Sequence, residues 1–202
     1  MRSVLALRRT TPRGLTAGAA LALLYLGAIL GLGAPSARLL YDGTVPMPPY
    51  QWVHPPNGAG TAPPSSAAGT LALGAGGSAA NEISTDDLQA SVTFPEGAVA
   101  PHAGDSSVKV TITPVDAATV ARAPAGHRFD SNGYRIEAVY AASGTPATLV
   151  KPVDVALTYA VHATIVLRAQ DKSWTILPGT VFPASQQIVA HSDRLGTFAA
   201  SP

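Results

Sequence analysis

The sequence has 202 residues, enough for one domain with appendages and too few for two large cores. It contains no cysteine, which excludes a disulfide scaffold, a thiolate metal site, an iron–sulfur cluster and a cysteine nucleophile. Thirteen basic and twelve acidic residues give a net charge of +1, which argues against a nucleic-acid partner, and only 12% of residues are charged against roughly 25% in an average soluble chain.

Arg2, Arg8, Arg9 and Arg13 precede an uncharged run from Gly14 to Ala34, in which only Thr16 and Tyr25 carry polar side-chain atoms. At about 1.5 Å per residue a helix of this length spans roughly the 30 Å hydrocarbon layer of a bilayer. Residues 14–34 are therefore expected to form a transmembrane signal anchor in contact with lipid. The arginines before the run place residues 1–13 in the cytoplasm and the rest of the chain outside, as a single-pass protein of the cell membrane. A cleaved signal peptide has the same charge polarity, and Ala34-Pro35-Ser36 followed by Ala37 is an acceptable cleavage site, so release near Ser36 is the alternative. Beyond Ala34 nine basic residues face twelve acidic ones, and this mildly acidic part has no electrostatic reason to hold anionic lipid or nucleic acid.

Residues 35–82 read as a spacer rich in proline, glycine and serine. Pro46, Pro48, Pro49, Pro55, Pro56, Pro63 and Pro64 favour extended geometry and oppose helix. Tyr50-Gln51-Trp52-Val53 interrupts it with aromatic surface that a linker does not need. Two apart, Tyr50 and Trp52 share one side of an extended chain, which favours docking on the domain as an edge strand or brace. Pro46-Met47-Pro48-Pro49 as a PxxP ligand is the other reading. Leu71-Ala72-Leu73 alternates weakly and is a possible opening of the folded part.

From Ile83 to the end the apolar pattern has period two. Ala90, Val92 and Phe94 share one face, as do Val108, Val110 and Ile112, then Tyr134, Ile136, Ala138 and Tyr140, then Val153, Val155, Leu157 and Tyr159. Weaker strands are expected at Thr164 to Gln170, Trp174 to Leu177, Gln187 to His191 and Gly196 to Ala200, and a helical turn at Ala117 to Ala123. Pro178-Gly179 and Asp193 to Gly196 mark turns. Residues 83–202 are thus expected to be all-β, an antiparallel β-sandwich of roughly eight strands.

Three segments carry a resemblance: Val92-Thr93-Phe94-Pro95-Glu96-Gly97-Ala98-Val99, Val108 to Pro114, and Leu149-Val150-Lys151-Pro152-Val153-Asp154-Val155-Ala156-Leu157. Together they resemble the ZU5 module, with an apolar strand entering Pro-x-Gly-Ala and a later Lys-Pro-Val leading a strand. Trp174, Leu177 and Leu195-Gly196-Thr197-Phe198-Ala199 are similar to the closing strands of ZU5-like bacterial envelope proteins. The resemblance implies a β-sandwich used for protein–protein contacts, without cofactor and usually without catalysis. Some relatives cleave themselves at His-Phe-Ser; the nearest positions here, His191-Ser192-Asp193 and Thr197-Phe198-Ala199, lack that site.

The residues offer little for chemistry. His54, His102, His127, His162 and His191 are scattered, and a metal needs three or four convergent ligands; His191 with Asp193 is the one pair expected to share a strand face. Asp130-Ser131-Asn132-Gly133 fails as a calcium loop and reads as an Asn-Gly turn feeding the next strand. No Gly-x-Ser-x-Gly elbow is present, Gly74-Ala75-Gly76-Gly77 lacks the Lys of a phosphate loop, and Asp86-Asp87 reads as a solvated turn. No catalytic, cofactor or metal residue is nominated. The expected function is noncatalytic binding or envelope scaffolding with an extracellular or envelope protein partner. A secreted or wall-associated structural protein is the alternative, and a hydrolase with dispersed Ser, His and Asp residues the weaker third.

Overall fold

Alternation of apolar and polar residues produces a body of eleven antiparallel strands in the computed structural model of the protein, which describes residues 48–55, 62–170 and 172–202. All of these belong to one unit, Pro48–Pro202. The expected membrane segment at 14–34 and the spacer up to residue 47 lie outside the described residues. Among the described residues no helix is long and apolar enough to cross a membrane.

The strands are β1 (Ala67–Gly74), β2 (Gly77–Ser78), β3 (Asn81–Ser84), β4 (Ala90–Phe94), β5 (Ser107–Val115), β6 (Gly133–Tyr140), β7 (Val153–Thr158), β8 (Ile165–Gln170), β9 (Ser173–Phe182), β10 (Gln187–Ser192) and β11 (Gly196–Ser201). Their lateral order is β2-β1-β5-β6-β11-β8-β9-β10-β7-β4-β3, one continuous sheet curled into a half-barrel. The all-β antiparallel class matches the expectation. The eight strands expected between residues 83 and 202 correspond to β4–β11, while β1, β2 and the first two residues of β3 fall within the stretch read as spacer.

Continuity comes from β9. Its first part, Ser173–Pro178, pairs with β8, and its last part, Gly179–Phe182, pairs with β10. The turn expected at Pro178-Gly179 is instead the point where the strand changes partner. A side chain at Gly179 would stand 2.6 Å from Ile188 Cγ1, so the glycine lets the neighbouring strand close over it.

The inner face carries the core: Val92 and Phe94, Val110 and Ile112, Tyr134 and Ile136, Val155 and Leu157, Ile188, and Phe198 are all buried in one cluster. A smaller cluster of Ala117, Leu167, Trp174 and Ala199 lies apart from it. There the helix α1 (Ala117–Val120) sits near the sheet, capped by Asp116 Oδ1, which accepts from the Ala118 N–H at 2.9 Å. Val166 and Leu167 are neighbours assigned to different clusters, so β8 is buried on both faces. Two of the three segments that carry the ZU5 resemblance touch, the first and the third: Lys151 Nζ donates to Glu96 O at 2.6 Å and the Val150 N–H to Ala98 O at 2.8 Å. Gly97 provides a left-handed turn within the first of them, with φ +68°.

Candidate functional site

Pro48–Pro55 forms a strap whose main chain joins no strand. Proline at both ends removes N–H donors and holds the segment extended, so its contacts with the body fall to side chains. They come from two amides that the chain brings together from the turn before β4 and the start of β6.

Asn132 is 4% exposed and grips the strap at three points. Its N–H donates to the Tyr50 hydroxyl at 2.9 Å, its Nδ2 to Gln51 O at 2.7 Å, and its Oδ1 accepts from the Val53 N–H at 2.9 Å. Gln89, equally buried, meets the strap from the other side. With its amide oriented to satisfy both ends, Nε2 donates to Gln51 O (3.0 Å) and to the Tyr134 hydroxyl (3.1 Å), and Oε1 accepts from the Gln51 N–H (2.9 Å). One side-chain amide thereby engages both main-chain groups of Gln51 as a neighbouring strand would.

Local structure explains the aim of Gln89. Leu88 adopts φ +58°, a left-handed geometry costing a leucine roughly 1–2 kcal/mol, and is half exposed. The surrounding turn holds it there: Asp87 Oδ1 accepts from Thr85 Oγ1 (2.6 Å) and the Gln89 N–H (3.1 Å), while Thr158 Oγ1 donates to Leu88 O (3.1 Å). Asp87 also clasps the chain below the strap, its Oδ2 accepting from the Ser65 N–H (2.7 Å) and its own N–H donating to Ser65 Oγ (3.0 Å). The expected solvated turn is thus corrected for Asp87, which is half buried and fully engaged, whereas Asp86 is exposed.

The aromatic pair completes the seat, with the Tyr50 and Trp52 ring centres 4.6 Å apart. The hydroxyl end of Tyr50 is enclosed, and burial first, then the neighbouring Tyr134, holds its pKa well above the ordinary tyrosine value. Burial raises Tyr134 too. The reading that docks Tyr50 and Trp52 on the domain describes the geometry, as a brace and not as an edge strand; Pro46 and Met47 of the PxxP reading lie outside the described residues.

The segment Asp130 to Gly133 is also corrected. Asp130 Oδ2 accepts from the N–H groups of Val161 and His162, both at 2.7 Å, and Ser131 Oγ accepts from the Ala200 N–H at 2.7 Å. Neither Asn132 nor Gly133 has the positive φ of an Asn-Gly hairpin turn. Gly133 sits in a tight space, where a Cβ would lie 3.0 Å from Val115 Cγ2 and 3.2 Å from the Ala117 Cα and would press both aside.

The histidines stand apart. His54 Nε2 lies 3.6 Å from Asp116 Oδ2, His102 Nδ1 lies 2.9 Å from Asp105 and stacks on Tyr140, and His191 pairs with Asp154 across β10 and β7. His127 Nδ1 is 3.3 Å from Pro202 O. The pairing of His191 with Asp193 does not form: Asp193 accepts from Arg168 Nη1 at 2.5 Å, and that bond holds its carboxyl below the usual range. Among the described residues no group of three His, Asp or Glu side chains converges as metal ligands would.

A hollow of ≈ 590 Å³ opens where β11 begins at Gly196 and leaves the edge of β6, lined by Ile136, Ala138, Ala147, Leu149 and Leu195 with Asp193 and Arg194 at its rim. A smaller one of ≈ 220 Å³ lies between the strap and α1. Comparison of the sequence with known protein families gives no match, and comparison with curated proteins gives none either.

Proposed function

We propose that the protein is a single-pass membrane protein displaying a noncatalytic, ZU5-like extracytoplasmic module for protein–protein binding or envelope scaffolding. The apolar run at 14–34, with its preceding arginines, supplies the anchor and the orientation. The two halves of the curled sheet take the part of the sandwich layers, and the contact of Lys151 with Glu96 joins two of the three segments on which the ZU5 resemblance rests.

The strap is the observation that carries this reading. A linker would leave the body free, whereas Gln89, Asn132 and Asp87 hold the chain just upstream of it at Tyr50–Val53 and Ser65. A display module needs such a fixed root. The buried polar groups described above also serve the fold: Asp130 engages two amides and Arg168 engages Ser192 and Asp193.

Membrane fractionation of the full-length protein, with intact mass and protease added from outside, tests the proposal. Expected are a membrane-bound chain that retains residues 1–36 and a body accessible only from outside. A mature chain starting near Ala37 in the soluble fraction favours a secreted structural protein and overturns the anchor. A body protected from external protease overturns the orientation.

A further inference from the structure

We propose that the end of the body beside Leu88 is a docking surface for the lipid bilayer, with the side chains of Leu88, Val161 and Phe182 entering its interfacial layer. The inference rests on the reading of residues 14–34 as a membrane anchor and adds to it the face that the body turns to the lipid.

The sheet brings the three side chains to one end. Thr158, the last residue of β7, donates through Oγ1 to Leu88 O at 3.1 Å. It pairs with Gln187, the first residue of β10, which pairs in turn with Phe182, the last of β9. Val161 follows shortly after Thr158, its N–H held at 2.7 Å by Asp130 Oδ2. Leu88, Val161 and Phe182 are 46%, 73% and 48% exposed; the other large apolar side chains exposed among the described residues, Val150 and Ile176, lie outside this row.

Two features separate this end from an ordinary solvent-facing turn. Leu88 (φ +58°) and Gln186 (φ +49°), whose carbonyl accepts from the Tyr159 N–H, are the two non-glycine residues with left-handed backbone among the described residues. Glycine or asparagine suits such a position better, and a leucine there combines backbone strain with an apolar side chain in water. Insertion into lipid offsets the second of these. Moreover, residues 155–167 and 173–192 contain no Asp, Glu, Lys or Arg, so they bring to the interface no ionised side chain that must shed water. Asp130 is engaged by the Val161 and His162 N–H groups, and Asp86 remains exposed at the margin.

The point where the chain enters the body names the occupant. Gln51 is held by Gln89, the neighbour of Leu88, and the described chain begins just upstream at Pro48. Residues 35–47 separate Pro48 from the uncharged run, and thirteen residues reach at most about 43–47 Å whatever their course. A bilayer that holds the run therefore lies within that distance of the Leu88 end. With no basic side chain in the segments that carry Val161 and Phe182, attachment is by apolar insertion and extends to uncharged lipid.

The absence of cysteine makes the test direct. Full-length L88C, V161C and F182C are compared with V150C, which lies beyond the opposite end of β4, where the Val150 N–H meets Ala98 O. Each is labelled with an environment-sensitive fluorophore and reconstituted into phosphatidylcholine vesicles. Quenching is measured with iodide on both sides of the membrane and with a doxyl group on the upper acyl chain. Expected at the three positions is doxyl quenching about threefold above that of V150C and iodide quenching about threefold below it, both unchanged by high salt. Doxyl quenching no greater than that of V150C overturns the proposal, whether the labels face water or a second copy shields them from iodide. Vesicle flotation and intact mass of the same samples read the anchor. A chain that floats with residues 1–36 retained while the three labels escape the doxyl group refutes the docking surface alone; a chain that loses the run and does not float refutes the anchor with it.

Discussion

The interior of the curled sheet and the seat of the strap are both closed to solvent, yet they follow opposite rules. Inside the sheet, Phe94, Ile136, Leu157 and Phe198 are held by apolar contact, which is non-directional and tolerates any side chain of suitable volume. In the seat, Gln89, Asn132 and Tyr134 are buried polar groups that are stable only while each donor and acceptor has its partner. The first arrangement makes the fold robust. The second makes one attachment specific, and makes it sensitive to the loss of a single atom pair.

The contrast can be broken from the apolar side first. Phe94→Ala empties a fully buried site and is expected to cost about 3–5 kcal/mol, read as a lower denaturant midpoint, with strap and body lost together. Next comes Gly77→Ala, at φ +100° with the Val99 carbonyl oxygen 2.6 Å from the new Cβ. A loss of about 1–3 kcal/mol is expected from this clash, whereas Gly76→Ala, with nothing within 4 Å, serves as the near-neutral control in the same thermal unfolding series.

The polar side should fail locally. Asn132→Ala removes the acceptor of the Val53 N–H and a donor to Gln51 O, a loss of about 1–3 kcal/mol that falls on the strap. Trp52 fluorescence is then expected to shift to the red while the unfolding midpoint of the body moves little; a cooperative loss of the whole body would erase the distinction between the two regions. The smallest effect is that of alkaline pH. The seated Tyr50 has a raised pKa, so its contribution is complete below the unfolded value of about 10 and is lost as pH rises above it. Release of the strap should begin above about pH 10 and be absent as a separate step in Tyr50→Phe, whose strap no longer carries the titrating group.

How far each region was legible follows from the same contrast. Alternation located β4, β5, β6 and β7 because each has one face in the core and one outside. It was faint in β8 and β11, where Val166 and Leu167, or Phe198 and Ala199, are buried on opposite faces and polar residues no longer mark the outside. It caught β1 only as the weak alternation of Leu71-Ala72-Leu73, since Ala67 to Gly74 is mostly small residues, and Gly69 is required there by Ile83, whose Cγ1 would lie 2.5 Å from a Cβ. It read Pro178-Gly179 as a turn where β9 continues and changes partner.

The strap seat left only one trace in the sequence, the pair Tyr50 and Trp52 standing in a proline-rich stretch. Asn132 looked like half of a turn, and Gln89 gave no signal at all, because an amide that will be buried against a distant main chain is indistinguishable from one that faces water. Partners about forty residues apart for Gln89 and eighty for Asn132 are matched by the fold and by no local pattern.

Amide hydrogen exchange resolved to single residues tests the central claim, that Gln89 and Asn132 clamp the strap by its main chain. The account predicts that the amides of Gln51 and Val53 are protected in the native protein and lose that protection in Asn132→Ala, while those of Val92 and Ile136 keep theirs. Amides at Gln51 and Val53 that exchange as fast in the native protein as in the variant would contradict it.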